Sequence, residues 1–149
     1  MLLQAEPLIA TMQQHQWIFP ALECVHIVSF ALAIGTIAAT DFSLLGFGFP
    51  RKEAPAVLQK TDLWTMTGLV LIIFSGILIF MTDADDYIVN RAFQIKMVFL
   101  VLAIIFNYTI HRKIVRTANG STGTAKLAAG ISLALWIGVV FGGLFIAFQ

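Results

Sequence analysis

The sequence has few groups that carry charge and almost no cysteine. Of its 149 residues, 11% are charged, 59% are hydrophobic, and Cys24 is the single cysteine. A soluble domain of this length needs far more charge to cover its surface. One cysteine excludes an intramolecular disulfide and a cysteine-based metal cluster. Together with a mean hydropathy of +0.90, these absences predict an integral membrane protein.

Several motifs of enzymes and of nucleic-acid-binding proteins are also missing. The chain has no Gly-x-Ser-x-Gly, no His-Glu-x-x-His and no phosphate-binding loop. No basic patch outside the loops supports a nucleic-acid partner. Glu23 and His26 form one Glu-x-x-His pair, but a di-iron bundle requires two such pairs and two further carboxylates. The sequence therefore favours a protein that is not an enzyme, with no nucleic-acid partner.

The chain does contain four long apolar segments. A bilayer core of about 30 Å takes about 20 apolar residues at about 1.5 Å each. The segments that meet this requirement are 20–45, 63–81, 93–110 and 125–148. They predict an all-α fold, a transmembrane four-helix bundle that forms a single domain over residues 1–149. The preceding stretch, 7–16, is expected to form a short interfacial helix.

The basic residues are distributed unevenly along this pattern. Arg91 lies in the second loop and Lys96 lies inside the third segment. The remaining Lys and Arg residues lie in or beside the first and third loops: Arg51, Lys52, Lys60, Arg112, Lys113, Arg116 and Lys126. By the positive-inside rule, these two loops are cytoplasmic and both termini are outside. We expect a multi-pass protein of a bacterial inner membrane.

Polar residues inside the segments fall into an outer and an inner layer. At about 100° per residue, Glu23, His26 and Lys96 share the outer third of the first and third segments. An ionisable group in hydrocarbon costs roughly 2.5–3.5 kcal/mol on insertion scales and usually needs a partner. Glu23 can therefore pair with Lys96, with His26 beside them.

The inner layer consists of Asp41 on the first segment and of Asn107 and His111 on the third. Asp41 can join these two residues or the nearby Arg112. Two interpretations apply to both layers. The polar contacts either hold two helices in register, or one layer binds a ligand, a proton or a cofactor.

His26 is the best candidate for a haem ligand, because it is a histidine at moderate depth inside a membrane segment. His111 lies near the opposite surface and cannot share a haem with it. Met97 or Met81 can supply the second ligand, and Lys96 and Arg91 can neutralise the propionates. The sequence thus indicates a haem b-binding or electron-transfer component. His26 of a second protomer is a further candidate for the second ligand.

Two other functions remain open from the residues alone. Cys24, His26, Met81 and Met97 are soft or borderline ligands near the outer surface, which suits copper or another metal ion. The alternative is a structural or accessory subunit without a cofactor, which assembles with itself or with other membrane subunits. A stripe of small residues on the fourth segment, facing either its own chain or a partner, fits such packing: Gly130, Ala134, Gly138 and Gly142. Trp136, near the middle of that segment, is expected in the core or against lipid.

Two blocks of the sequence resemble a known family. The first contains Trp17, Pro20, Glu23, His26, Gly35 and the run Asp41–Gly46, and the second contains Asp86, Tyr87, Asn90, Phe93, Lys96 and Asn107. They resemble an uncharacterised bacterial family of small four-helix inner-membrane proteins, which is more distantly similar to the membrane domain of copper-resistance D proteins. That domain also places a histidine in one helix and a lysine in another. The resemblance implies the architecture and assigns no reaction.

The chain departs from this family in one position that matters for Asp41. Where the family pattern often reads Asp-Leu-Arg-Leu-Leu-Gly, this sequence has Asp41-Phe42-Ser43. The basic residue within the motif is therefore missing. We expect His111 or Arg112 to replace it as the partner of Asp41.

Overall fold

The computed structural model describes residues 17–48, 50–117 and 122–148. Within these ranges the structure contains helices and short connections only, and four helices are long and apolar enough to cross a membrane. The all-α, four-helix architecture predicted from the sequence is thus confirmed. The interfacial helix expected at 7–16 lies outside the described residues.

The four long helices and their extensions have the following bounds. The first long helix is Ile18–Leu45. A 3₁₀ turn, Arg51–Glu53, leads into the second, Ala54–Thr82. A short helix, Ala84–Val89, precedes the third, which comprises Arg91–Phe106, a π-helical segment Asn107–His111, and Arg112–Thr117. The fourth is Thr122–Phe145, followed by a 3₁₀ turn, Ile146–Phe148.

The second and third long helices extend beyond the segments that hydropathy predicted. The second begins at Ala54 rather than near residue 63, and the third continues to Thr117 rather than ending near 110. Ala54, Leu58 and Val115 are buried in one core cluster, together with Leu44, Ala125 and Ala129. The extensions are helical because their apolar residues pack against one another, although their exposed faces are polar.

Helix ends are fixed by local hydrogen bonds. Gly46 terminates the first long helix with φ 83°, a left-handed conformation that glycine adopts readily. Asn90 is the N-cap of the third, and its side chain accepts a hydrogen bond of 3.0 Å from the Phe93 N–H. The Asn90 amide also donates to the Ile146 carbonyl at 3.3 Å. This second bond joins the start of the third helix to the end of the fourth.

The core between the long helices is narrow, and most large apolar side chains face outward. The first helix packs on the second and fourth, and the third packs on the fourth. One core cluster fills the centre: Ala33, Ile37, Leu69, Ile72, Ala103, Trp136 and Val139. Trp136 is therefore a core residue. The exposed apolar side chains around this core form the surface expected of a bundle surrounded by lipid.

Glycines allow close contact at two helix pairs. A Cβ at Gly68 would lie 3.0 Å from the Ala33 nitrogen and from the Ser29 carbonyl oxygen, so the first and second helices touch there. A Cβ at Gly138 would lie 2.6 Å from the ring of Phe99 on the third helix. The outer half of the small-residue stripe thus faces the third helix of the same chain. Gly130, in its inner half, has open space around it.

Replacing Gly68 with leucine is expected to destabilise the bundle, because the new side chain would meet the backbone of the first helix. Overpacking of this kind typically costs about 1–3 kcal/mol. Gly35→Leu is the matched control, since a Cβ there meets nothing within 4 Å. Thermal unfolding in detergent should show a lower midpoint for Gly68→Leu only. Equal midpoints for the two variants would contradict the helix contact.

Candidate functional site

One cavity, called the outer cavity here, lies among all four long helices at the end of the bundle where the sequence predicts the outer polar layer. Its volume is about 590 Å³, within the range of about 300–1,000 Å³ that is usual for sites binding small molecules and cofactors. Apolar side chains form most of its wall. The polar exceptions include Glu23, His26, Tyr87 and Lys96. The three members of the predicted outer layer therefore do line one space.

His26 is held by a directional chain of hydrogen bonds to the second helix. Its Nδ1 lies 2.8 Å from the Ser75 hydroxyl, and that hydroxyl donates to the Leu71 carbonyl at 2.6 Å. With the single hydroxyl proton engaged in this way, we assign His26 Nδ1 as the donor to the Ser75 oxygen. In the neutral ring, Nε2 then keeps its lone pair.

The ring of His26 lies against a glycine of the second helix. A Cβ at Gly76 would be 3.2 Å from His26 Cε1, closer than most side-chain contacts. Ser75 thus orients the ring through a hydrogen bond, and the neighbouring Gly76 leaves room for it. Sequence reasoning missed both, although serine and glycine are frequent where membrane helices approach closely.

Lys96 does not form the expected ion pair with Glu23. No ion pair joins these two side chains, and Glu23 is exposed. The Lys96 side chain extends along the fourth helix, where a Cβ at Gly143 would be 3.5 Å from its Nζ. A Cβ at Gly142 would be still closer, 2.9 Å from the Cβ of Lys96. The glycine pair directs the ammonium group along the fourth helix, which leaves Glu23 without this partner.

The two methionines proposed as second ligands differ in position. Met97 lines the cavity with His26, whereas Met81 and Arg91 are not part of its wall. An aromatic cluster of Phe80, Tyr87 and Phe93, with ring centroids 5.5–6.3 Å apart, lies at the outer end of the cavity.

Tyr87 in this cluster remains a neutral phenol. Burial raises the pKa of Tyr87 above its ordinary value, and the negative charges of Glu23 and Asp83 raise it further. The outer end of the cavity therefore presents a hydroxyl group that can donate a hydrogen bond.

The inner layer forms a compact buried network around Asp41. His111 Nε2 lies 2.5 Å from Asp41 Oδ1, and the Ser132 hydroxyl donates to Oδ2 at 2.7 Å. All three residues are at most 1% exposed. The predicted contact of Asp41 with His111 is confirmed, and Ser132 of the fourth helix is a third member that the sequence did not indicate.

Asn107 and Arg112 do not bind Asp41. Asn107 is buried in the same region but forms no hydrogen bond with that carboxylate. Arg112 instead pairs with Asp62 of the second helix and lies 4.1 Å above the Tyr108 ring. Sequence reasoning missed Asp62, because hydropathy placed the start of the second helix after it.

The inner network is not arranged for nucleophilic catalysis. Ser132 donates its proton to Asp41 rather than to His111, so the histidine does not contact the hydroxyl as it does in a Ser-His-Asp triad. His111 Nδ1 and Trp136 Nε1 are buried without a partner among the described residues. His111 also ends the π-helical segment, a local widening that is common at functional sites.

The described residues contain no group of three or more His, Cys, Asp or Glu side chains that could hold a metal ion. Cys24, proposed as a copper ligand, is exposed. The described part of the chain therefore provides no cluster of these ligands for metal handling at the outer surface.

Comparison with known proteins gives one match. The model of a family of unknown function, DUF6644, matches residues 11–149. No curated protein and no solved structure matches the chain. The expectation of an uncharacterised family is confirmed, whereas the distant similarity to copper-resistance D proteins stays a prediction.

Removing the Asp41 carboxylate is expected to destabilise the fold strongly. Asp41→Ala leaves His111 and Ser132 buried without their partner, and breaking a buried pair typically costs about 3–5 kcal/mol. Asp62→Ala is the matched control, because Asp62 is 35% exposed and partly exposed pairs contribute about 0–1 kcal/mol. The denaturation midpoint should fall much further for Asp41→Ala. A similar fall in both variants would contradict the assigned role of the inner network.

Proposed function

We propose a function from the geometry of the outer cavity. The chain belongs to DUF6644, and the function of that family is unknown. The proposed function is that of a non-enzymatic membrane component that binds haem b in this cavity and takes part in electron transfer. His26 Nε2 is the protein ligand. The bilayer, and further copies of the chain or other membrane subunits, are the expected partners.

The orientation of His26 is the observation that carries this proposal. Histidines that bind metals usually donate their other ring N–H to a neighbouring group, which fixes the tautomer. His26 does so through Nδ1 and Ser75. The lone pair of Nε2 is thereby available inside a largely apolar cavity.

The other residues of the cavity also fit haem b. Met97 offers a thioether sulfur in the same cavity, and Met/His ligation is known for haem iron. The Lys96 ammonium, which has no carboxylate partner among the described residues, suits a propionate. The apolar wall suits the macrocycle. When bound, the haem supplies one-electron chemistry, while the chain binds it, orients its ligand and limits access of water.

The direction of the chain in the membrane is part of the proposal. The concentration of Lys and Arg in the first and third loops supports a cytoplasmic location for these loops. The ends of the chain, and the cavity, are then on the outer side of a bacterial inner membrane. An electron would enter or leave on that side.

A structural or accessory subunit is the second candidate. The observation that favours it is the Asp41 network, which joins the first, third and fourth helices and needs no ligand. On this alternative, His26 and Ser75 join the first and second helices in the same way. The two candidates differ in whether the cavity is occupied.

The visible spectrum of protein purified from haem-replete cells tests haem binding. We expect a b-type reduced-minus-oxidised spectrum at about one haem per chain. His26→Ala should abolish it, because His26 is the only histidine among the described residues of the cavity wall. Circular dichroism checks that the variant remains folded. A folded wild-type protein without this spectrum, or a folded His26→Ala protein that retains it, would contradict the proposal.

The methionines provide a matched pair for the second ligand. Met97→Leu should change the spectrum of the ferrous protein, because its sulfur belongs to the cavity wall, and Met81→Leu should not. The two substitutions are chemically identical and both remove one thioether. A change on Met81→Leu alone would contradict the role of Met97.

Cysteine labelling tests the direction of the chain. In a Cys24→Ser background, Asp85→Cys places a thiol in the second loop and Lys52→Cys places one in the first, and both positions are exposed. A membrane-impermeant maleimide applied to intact cells should label only the Asp85→Cys protein. Labelling of Lys52→Cys alone would reverse the proposed direction.

A further inference from the structure

A second cavity lies at the opposite end of the third long helix. It has a volume of about 360 Å³. Its wall consists of side chains spaced three and four residues apart, which lie on one helix face: Tyr108, Thr109, Arg112, Lys113, Arg116 and Thr117. Three of these six are cationic, and none is acidic.

Two of the cations have no counter-charge within the part of the chain that the structure describes. Arg112 is neutralised by Asp62, and its guanidinium is held over the Tyr108 ring. Lys113 and Arg116 are exposed and form no ion pair with the described residues. The cavity therefore carries a surplus of two positive charges beside a fixed wall.

The two threonine hydroxyls of this cavity already donate within their own helix, so the cations are its main hydrogen-bond donors. The Thr109 hydroxyl donates to the Ile105 carbonyl at 2.6 Å, and the Thr117 hydroxyl donates to the Lys113 carbonyl at 2.7 Å. Both protons are thus engaged within the helix. A ligand here must accept hydrogen bonds from an ammonium and a guanidinium, which is the chemistry of a phosphate.

Exposed apolar residues of the third and second helices flank the cavity. Ile105 and Ile110 of the third helix are 55% and 51% exposed. On the second helix, Met66 is 44% exposed, and its sulfur accepts a hydrogen bond from the Tyr108 hydroxyl. A charged group at the end of an apolar surface matches a phospholipid, whose acyl chains continue from its phosphate.

We propose that this cavity binds the headgroup of an anionic phospholipid from the leaflet that faces the positively charged loops. Lys113 and Arg116 contact the phosphate, and Arg112 is a positioning residue held by Asp62 and Tyr108. Basic pockets beside membrane helices are suited to anionic headgroups, and each cation near the surface strengthens their attraction. The site is separate from the haem cavity and does not depend on haem binding.

Native mass spectrometry of the full chain in detergent tests this site. The probes are phosphatidylglycerol, phosphatidylcholine of the same chain length, and inorganic phosphate. The double variant Lys113→Gln/Arg116→Gln should bind phosphatidylglycerol about tenfold more weakly or worse. The matched control, Lys52→Gln/Lys60→Gln, removes the same charge from exposed residues of the second helix and the turn before it, and should bind within about twofold of the wild type.

Three outcomes would overturn the inference. Equal loss in both double variants would mean that general surface charge attracts the lipid. Equal binding of phosphatidylcholine would mean that the anionic headgroup is not recognised. Displacement of phosphatidylglycerol by millimolar inorganic phosphate would identify a site for a free anion. Circular dichroism of both variants ensures that a loss of binding reflects the site rather than the fold.

Discussion

The carboxylate of Asp41 imposes the strongest constraint on this bundle. It is fully buried, and an ionisable group buried within a membrane bundle is costly unless it has partners. His111 and Ser132 satisfy one oxygen each, and they come from the third and fourth helices. The first helix therefore has one favourable rotation and depth relative to these two. The Trp136 core and the outer cavity follow from that arrangement, because they are built on the same helices one or more turns further out.

The outer layer differs from the inner one in a way that suggests a different task. Around Asp41 the polar groups meet one another, whereas Glu23 and Lys96 share a cavity without pairing. His26 is oriented on one ring nitrogen only. A layer needed just for packing would be expected to satisfy its own charges. Polar groups held apart around an apolar space are instead the usual features of a ligand site, which is why the proposed haem is assigned there.

Most of the architecture follows from the sequence, because a bilayer restricts a chain of this composition to long helices. The Asp41–His111 contact was also predictable, since depth along two parallel helices can be counted from the residue number. Ser132 and Ser75 were not, because a hydroxyl in a helix can bond to its own backbone and carries no depth signal by itself. Glu23 and Lys96 lie at similar depth, but Gly142 and Gly143 direct the lysine along the fourth helix. The direction of the lysine side chain depends on packing, and packing cannot be read from the periodicity of the sequence.

The central claim is that the outer cavity binds haem through His26, and ligand-induced stabilisation tests it most directly. A ligand that binds only the folded state raises the unfolding midpoint. Haemin added to the haem-free protein in detergent should raise the midpoint of the wild type and leave that of His26→Ala unchanged. An equal increase in both proteins, or no increase in the wild type, would contradict the account.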